Sequence, residues 1–238
     1  MKRLALPALI ALTAACSDGS IQQPPPPTPA PAPAPAANAI FEVTTINLTA
    51  AQPLSPIALA VHDDGFRAFM VGSPASPGLE LLAEAGDNSG LLDEVEGRAE
   101  TSGEAPVGPG GRESFTLELD SDDTTGALLT VMTMLVNTND AITGINGMDV
   151  SGMAVGDTRV INTIAYDSGT EANTEAVGTI PGPADGGEGF NETRDDVSDQ
   201  VVMHGGVVTS DDGLSGSVLT QTHRFDNPVA RIVIARTQ

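Results

Sequence analysis

The sequence predicts an all-β fold, an antiparallel β-sandwich with short helices in an inter-strand loop, and three observations carry that prediction. From Ile40 onward the chain is a series of short runs rich in Val, Ile, Thr and Phe, separated by clusters of Gly, Asp, Asn and Pro, the pattern of short strands joined by turns. In SFTLELD, Phe115, Leu117 and Leu119 alternate with Thr116 and Glu118, so one side of that strand's sheet faces water. The run ALLTVMTMLV is apolar on both faces and belongs at the centre of a sheet.

Before the sandwich come a leader and a tether. Met1-Lys2-Arg3 is a short positive segment and LALPALIALTAA an apolar run too short to stop in a bilayer, so residues 1–16 read as an export signal. Its end, Leu12-Thr13-Ala14-Ala15-Cys16, resembles a bacterial lipobox, with Thr13 where an aliphatic residue is usual. The reading is lipidation of Cys16, with Ser17 after it resembling an outer-membrane address; ordinary secretion after cleavage is the alternative. Residues 17–39 are Pro/Ala-rich and favour extended polyproline II. At about 3.1 Å per residue they would hold a domain of residues 40–238 some tens of ångströms from a membrane.

Within that domain the candidate strands are IFEVTTINLT, LSPIALAVH turning at Asp63-Asp64-Gly65 into RAFMVG, then SFTLELD, ALLTVMTMLV, RVINTIAYD, QVVMHGGVV and VARIVIAR. Between Gly78 and Glu96, Leu79, Leu82, Leu92 and Val95 have helical spacing interrupted by Gly86 and Gly90, which predicts two short helices. Residues 181–199 are too rich in Gly and acids for an element and read as a mobile loop. Asp120 to Gly126 has an EF-hand-like start, but its glycine comes one position late and no helix precedes it; it reads as a hairpin turn.

Charge and composition exclude several functions. The net charge is -22, and after Lys2 every basic residue is an arginine. So acidic a surface repels nucleic acids and anionic membranes. A membrane contact is expected only through the lipid anchor. With no Trp and one tyrosine, Tyr166, a carbohydrate-stacking platform is disfavoured, and the single cysteine forms no disulfide within the chain. His62, His204 and His223 form no zinc motif, and there is no G-x-S-x-G, P-loop or dinucleotide fingerprint. The expectation is therefore a protein that is not an enzyme.

The acids at strand ends are the remaining chemistry. Asp140 follows one apolar run, and Asp167 and Glu171 follow another in DSGTE, where Gly169 lets the backbone turn. Calcium takes about six to eight oxygen ligands, and convergent carboxylates on end loops of a sandwich supply them. The plainer reading is a turn in which Asp167 caps backbone amides.

FEVTTINLTAAQPLSPIALAVHD, FMVGSPASPGLELLAEAGD, SFTLELD, MLVNTND, AYDSGTEANTE, IPGP and NPVARIVIAR, in this order and spacing, resemble the spondin N-terminal domain of F-spondin, mindin and many bacterial exported proteins. The resemblance spans about residues 40–238 and implies a calcium-binding antiparallel sandwich. It implies Asp140, Asp167 and Glu171 as the Ca²⁺ ligands, Glu171 standing where animal members have Asp. Ala141 replaces an aromatic that those members place after the first acid, which would alter the rim of the site. By analogy the function is adhesion or binding at a cell surface, toward extracellular matrix, a glycan or a surface protein. The location would be an outer-membrane or cell-surface lipoprotein, or otherwise secreted or periplasmic. The alternatives are a metal-assisted envelope hydrolase and a structural acidic envelope protein without a specific partner.

Overall fold

The computed structural model describes residues 37–238, which fall in one compact unit, Ala36–Gln238. The export signal, Cys16 and nearly all of the Pro/Ala tether lie outside the described residues. The strands are β1 (Ala39–Asn47), β2 (Ala58–His62), β3 (Ala99–Ser102), β4 (Arg112–Leu119), β5 (Leu128–Met134), β6 (Ala141–Asp149), β7 (Thr158–Thr163), β8 (Ala165–Asp167), β9 (Val202–Met203) and β10 (Ala230–Arg236). They form a four-stranded sheet, β4-β1-β10-β7, and a six-stranded sheet, β3-β2-β5-β6-β8-β9. Every pairing between strands is antiparallel. The all-β sandwich predicted from the sequence is the fold observed.

The two sheets bury one core between them, with Phe41 and Val43 of β1, Leu117 and Leu119 of β4, Leu129 and Val131 of β5 and Ile232 and Ile234 of β10. A second apolar cluster covers the outer face of the larger sheet, where Met132 and Ile142 meet Leu79, Leu82, Ala83 and Leu91 of α1 (Pro77–Ala85) and α2 (Ser89–Asp93). This explains why β5 is apolar on both faces: one packs on the opposite sheet and the other under the helices. Ser76 caps α1 by accepting the Leu79 N–H at 3.2 Å, and Gly86 ends it in the left-handed region. Gly90 is no interruption. It lies inside α2, where a Cβ on Gly78 would stand 2.5 Å from its carbonyl carbon, so the glycines let the helices touch.

Several expectations need correction. RAFMVG is not a strand, because β2 already has β3 on one edge and β5 on the other. Its backbone pairs instead with the Asn146 side chain, through Ala68 N–H and Phe69 C=O. The run RVINTIAYD divides at Ile164, β7 joining the smaller sheet and β8 the larger. Of QVVMHGGVV, only Val202–Met203 pairs. β3 and β6 carry no clear alternation in sequence and were not foreseen. Residues 121–124 form a turn of 3₁₀ helix between β4 and β5, which lie in different sheets, so this is a crossover and not a hairpin. Asn38 bonds Glu118 and Ala39 begins β1, so the tether ends slightly before residue 39. Residues 181–199 lack an element, as expected, but they are anchored. Arg194 binds the Glu80 carboxylate through Nε at 2.9 Å and Nη2 at 2.6 Å, and the Asp195 N–H donates to the Thr170 carbonyl at 3.2 Å.

Candidate metal centre

Asp140 closes the turn from β5 to β6. The turn is shaped by the Thr138 hydroxyl, which donates to the Leu135 carbonyl at 2.6 Å and accepts from Ala141 N–H at 3.0 Å. Ala141 pairs across the sheet with Asp167, the last residue of β8. Register therefore puts the two acids on adjacent chains, although 27 positions separate them in sequence. Ala141 itself is fully buried in the core, so the substitution read from sequence as a change at the rim alters the interior.

The DSGTE segment wraps around one oxygen of Asp140. Oδ2 accepts from the Ser168 hydroxyl at 2.8 Å, Thr170 N–H at 2.8 Å, Thr170 Oγ1 at 3.3 Å and Glu171 N–H at 3.2 Å. The turn that permits this has Gly169 at φ 75°, with its N–H donating to Asp167 Oδ1 at 2.9 Å. Asp167 thus does cap its own turn, as the plainer reading expects, while Oδ2 accepts from Asn173. Asp140 Oδ1, by contrast, is buried and has no hydrogen-bond partner. Burial, reinforced by the charge of Asp167, pushes the Asp140 pKa up to about 6. Glu171, half-buried, is pushed up to about 8 by burial, then by Glu84 and to a lesser degree by Asp140 and Asp195, against a lowering contact from Asn139.

The three acids named from sequence are thus brought into one neighbourhood: the Asp167 charge acts on Asp140, and the Glu171 backbone N–H donates to it while the Glu171 carboxylate accepts from Asn139. Among the described residues, however, no three His, Cys, Asp or Glu side chains converge as a ready-made cage. An ion here would take waters and backbone or side-chain carbonyl oxygens to fill its shell, which calcium accepts. The donor set fits: hard carboxylate oxygens, one of them unpartnered and desolvated.

Glu84 and Asn139 escaped sequence reasoning as neighbours of the site, and His204, which the sequence offers only as a histidine outside any zinc motif, joins them. Glu84, near the end of α1, is fully buried, with Oε2 accepting the Asn191 N–H at 2.9 Å and Oε1 unpartnered. Burial raises its pKa. The available signal was its i, i+4 spacing from Glu80 in a helix otherwise packed by Leu and Ala. Asn139 links Glu171 to Thr179. His204, 5 % exposed, follows β9 and stands beside Asp167, whose charge opposes the lowering of its pKa by burial. Its Nδ1 accepts the Gly206 N–H at 2.9 Å, which leaves the ring proton on Nε2. A polar hollow of about 200 Å³ opens beside Glu171, lined also by Asn139, Thr179, Glu188, Asn191 and Asp195.

The antiparallel sandwich thus gathers carboxylates and long loops at one strand end. The Spondin_N family model matches residues 48–178, over half of the chain, and the chain belongs to the spondin N-terminal domain family. It is accordingly an extracellular binding or adhesion type of module. The match includes Glu84, Asp140, Asp167 and Glu171 and stops before the anchored acidic loop. No curated protein matches the chain.

Proposed function

We propose that the protein is an exported, lipid-tethered, calcium-binding sandwich whose cation end engages matrix, a glycan or a surface protein. The observation that carries the calcium reading is Asp140: a buried carboxylate with one oxygen held by four donors, the other unpartnered, and a second carboxylate alongside. A desolvated carboxylate without a counter-charge is costly. A divalent cation at Asp140, Asp167 and Glu171 would relieve that cost and stiffen the loops around it.

A metal-assisted hydrolase draws support from His204 beside Asp167. That reading needs a base with a free lone pair facing substrate. The His204 Nδ1 lone pair is occupied by Gly206, and the ring is not in the lining of the hollow. The surroundings therefore favour binding over catalysis.

Calcium titration of the purified protein tests the proposal. At a concentration well above the dissociation constant, saturable binding should raise the melting temperature by about 5 °C. Both effects should vanish in Asp140→Asn/Asp167→Asn. No binding at millimolar calcium, the weak end for extracellular modules, would reduce the acids to turn residues. For the anchor, Cys16→Ala should move the protein from the membrane to the soluble fraction; unchanged fractionation would remove the lipoprotein reading.

A further inference from the structure

We propose that the outer face of the four-stranded sheet is the contact through which two copies of this chain form a symmetric dimer. Both helices pack on the other sheet, and on this face Ile40, Ile46, Val160 and Val233 belong to neither apolar cluster, Val160 being 60 % exposed. Strand register sorts the face into a basic end and an acidic end. At one end Ile46 lies between Arg112 of β4 and Arg231 of β10. Thr44, Val233 and Val160 fill the next row. Beyond them come Glu42 and then Glu118, which is paired across the sheet with Ile40.

The two arginines stand out because the rest are committed. Among the described residues, Arg67, Arg98, Arg194 and Arg224 pair with carboxylates, and Arg159 and Arg236 donate to backbone carbonyls. Arg231 bonds the neutral side chain of Asn162 at 2.9 Å. Arg112 and Arg231 are both exposed and have no carboxylate partner in an ion pair. The acids of their own face are out of reach: Glu42 lies four residues along β1 from Ile46, about 13 Å, and Glu118 six residues along β4 from Arg112, about 20 Å.

A second copy supplies what the chain itself does not. A two-fold axis lying in the face, across the strands at the level of Val43 and Ile234, turns one copy's basic end onto the other's acidic end. It sets Arg112 opposite Glu118 of the partner subunit, and Arg231 one strand and about one row from Glu42 of the partner subunit. The same rotation lays Ile46 over Ile40 of the partner subunit, and Val233 over Ala235 of the partner subunit. A face that is complementary to itself in both charge and apolar pattern is what an isologous dimer requires. At a net charge of -22 two copies repel each other elsewhere, so association depends on these few arginines. The face measures roughly 20 Å by 20 Å, at the small end for a specific interface, which predicts a weak, reversible dimer. Each dimer would present two acid ends to a surface and so gain avidity.

Sedimentation equilibrium of the full chain carrying Cys16→Ala, so that no lipid drives association, tests this. A monomer–dimer equilibrium is expected at roughly tens of micromolar protein, weakened by sodium chloride and unchanged by chelator. Arg112→Glu and Glu118→Arg should each weaken it about tenfold or more, and the two together should restore it. All of these positions are exposed, and an unchanged melting temperature shows that each variant is folded. A monomer at every concentration overturns the inference, as does a dimer that ignores both substitutions or is not restored by the pair. A dimer that forms only with calcium would place the contact at the acid end instead, and one abolished by deleting residues 17–36 would assign it to the tether; either result overturns this face as the interface.

Discussion

Gly144→Ala should prevent stable folding. Gly144 sits in β6 opposite Met132 of β5, and a Cβ there would stand 1.8 Å from the Val131 carbonyl oxygen and 2.9 Å from its carbon. Those are backbone atoms of the central strand, so no side-chain rotation relieves the clash. Its φ of 157° adds a conformation that L residues seldom adopt. Nearby, the register slips between Leu129 and Val131 as β6 bulges, which leaves no slack for the strand to move away. A cost well above about 5 kcal/mol is expected, comparable to the whole of the 5–15 kcal/mol that typically stabilises a domain. Chemical denaturation should show Gly144→Ala largely unfolded without denaturant. Gly152→Ala, where an added Cβ meets nothing within 4 Å, should match the unsubstituted protein. A stable, cooperatively folding Gly144→Ala would mean that β5 and β6 are not paired in this register.

Stripped of calcium, the protein should become more stable as pH falls from 8 toward 5. Asp140 has an ordinary carboxyl value of 3.8 when unfolded and about 6 when folded; for Glu171 the corresponding values are 4.5 and about 8. Between each pair of values the folded chain binds more protons than the unfolded chain, so stability declines as pH rises. The Asp140 separation alone corresponds to on the order of 3 kcal/mol lost once both states are ionised. Bound calcium should invert the trend, because it takes the ionised carboxylates and protons compete with it. Melting curves across this range, with chelator and with calcium, check both slopes. Asp140→Asn should flatten the chelator curve. A chelator curve that climbs with pH and ignores Asp140→Asn would show that other carboxylates govern the profile and that Asp140 is not buried as an unpaired charge.

How legible this protein was in its sequence depended on how local each cause is. The alternation of SFTLELD, the two-faced apolarity of the strand Leu128–Met134 and the Ser76 and Gly86 ends of the first helix are written within a few residues, because strand period, burial and capping act over that range. The three acids Asp140, Asp167 and Glu171 were also legible, through their position after apolar runs and through family resemblance. Which sheet each strand joins was not. RAFMVG has strand composition but no free edge to pair with, and RVINTIAYD is one run that serves two sheets. β6 (Ala141–Asp149) hides behind Gly144 and Gly147, whose value lies in a close approach and a bulge that exist only when β5 is alongside. Tertiary structure alone also brought Glu84 and His204 to the acid cluster, from a helix and from the segment after an edge strand, both far away in the chain. The sequence by itself determined the fold class and the carboxylates at the strand end. Only the packing of sheet, helix and loop decided which of those charges are desolvated, and hence where a cation has the most to neutralise.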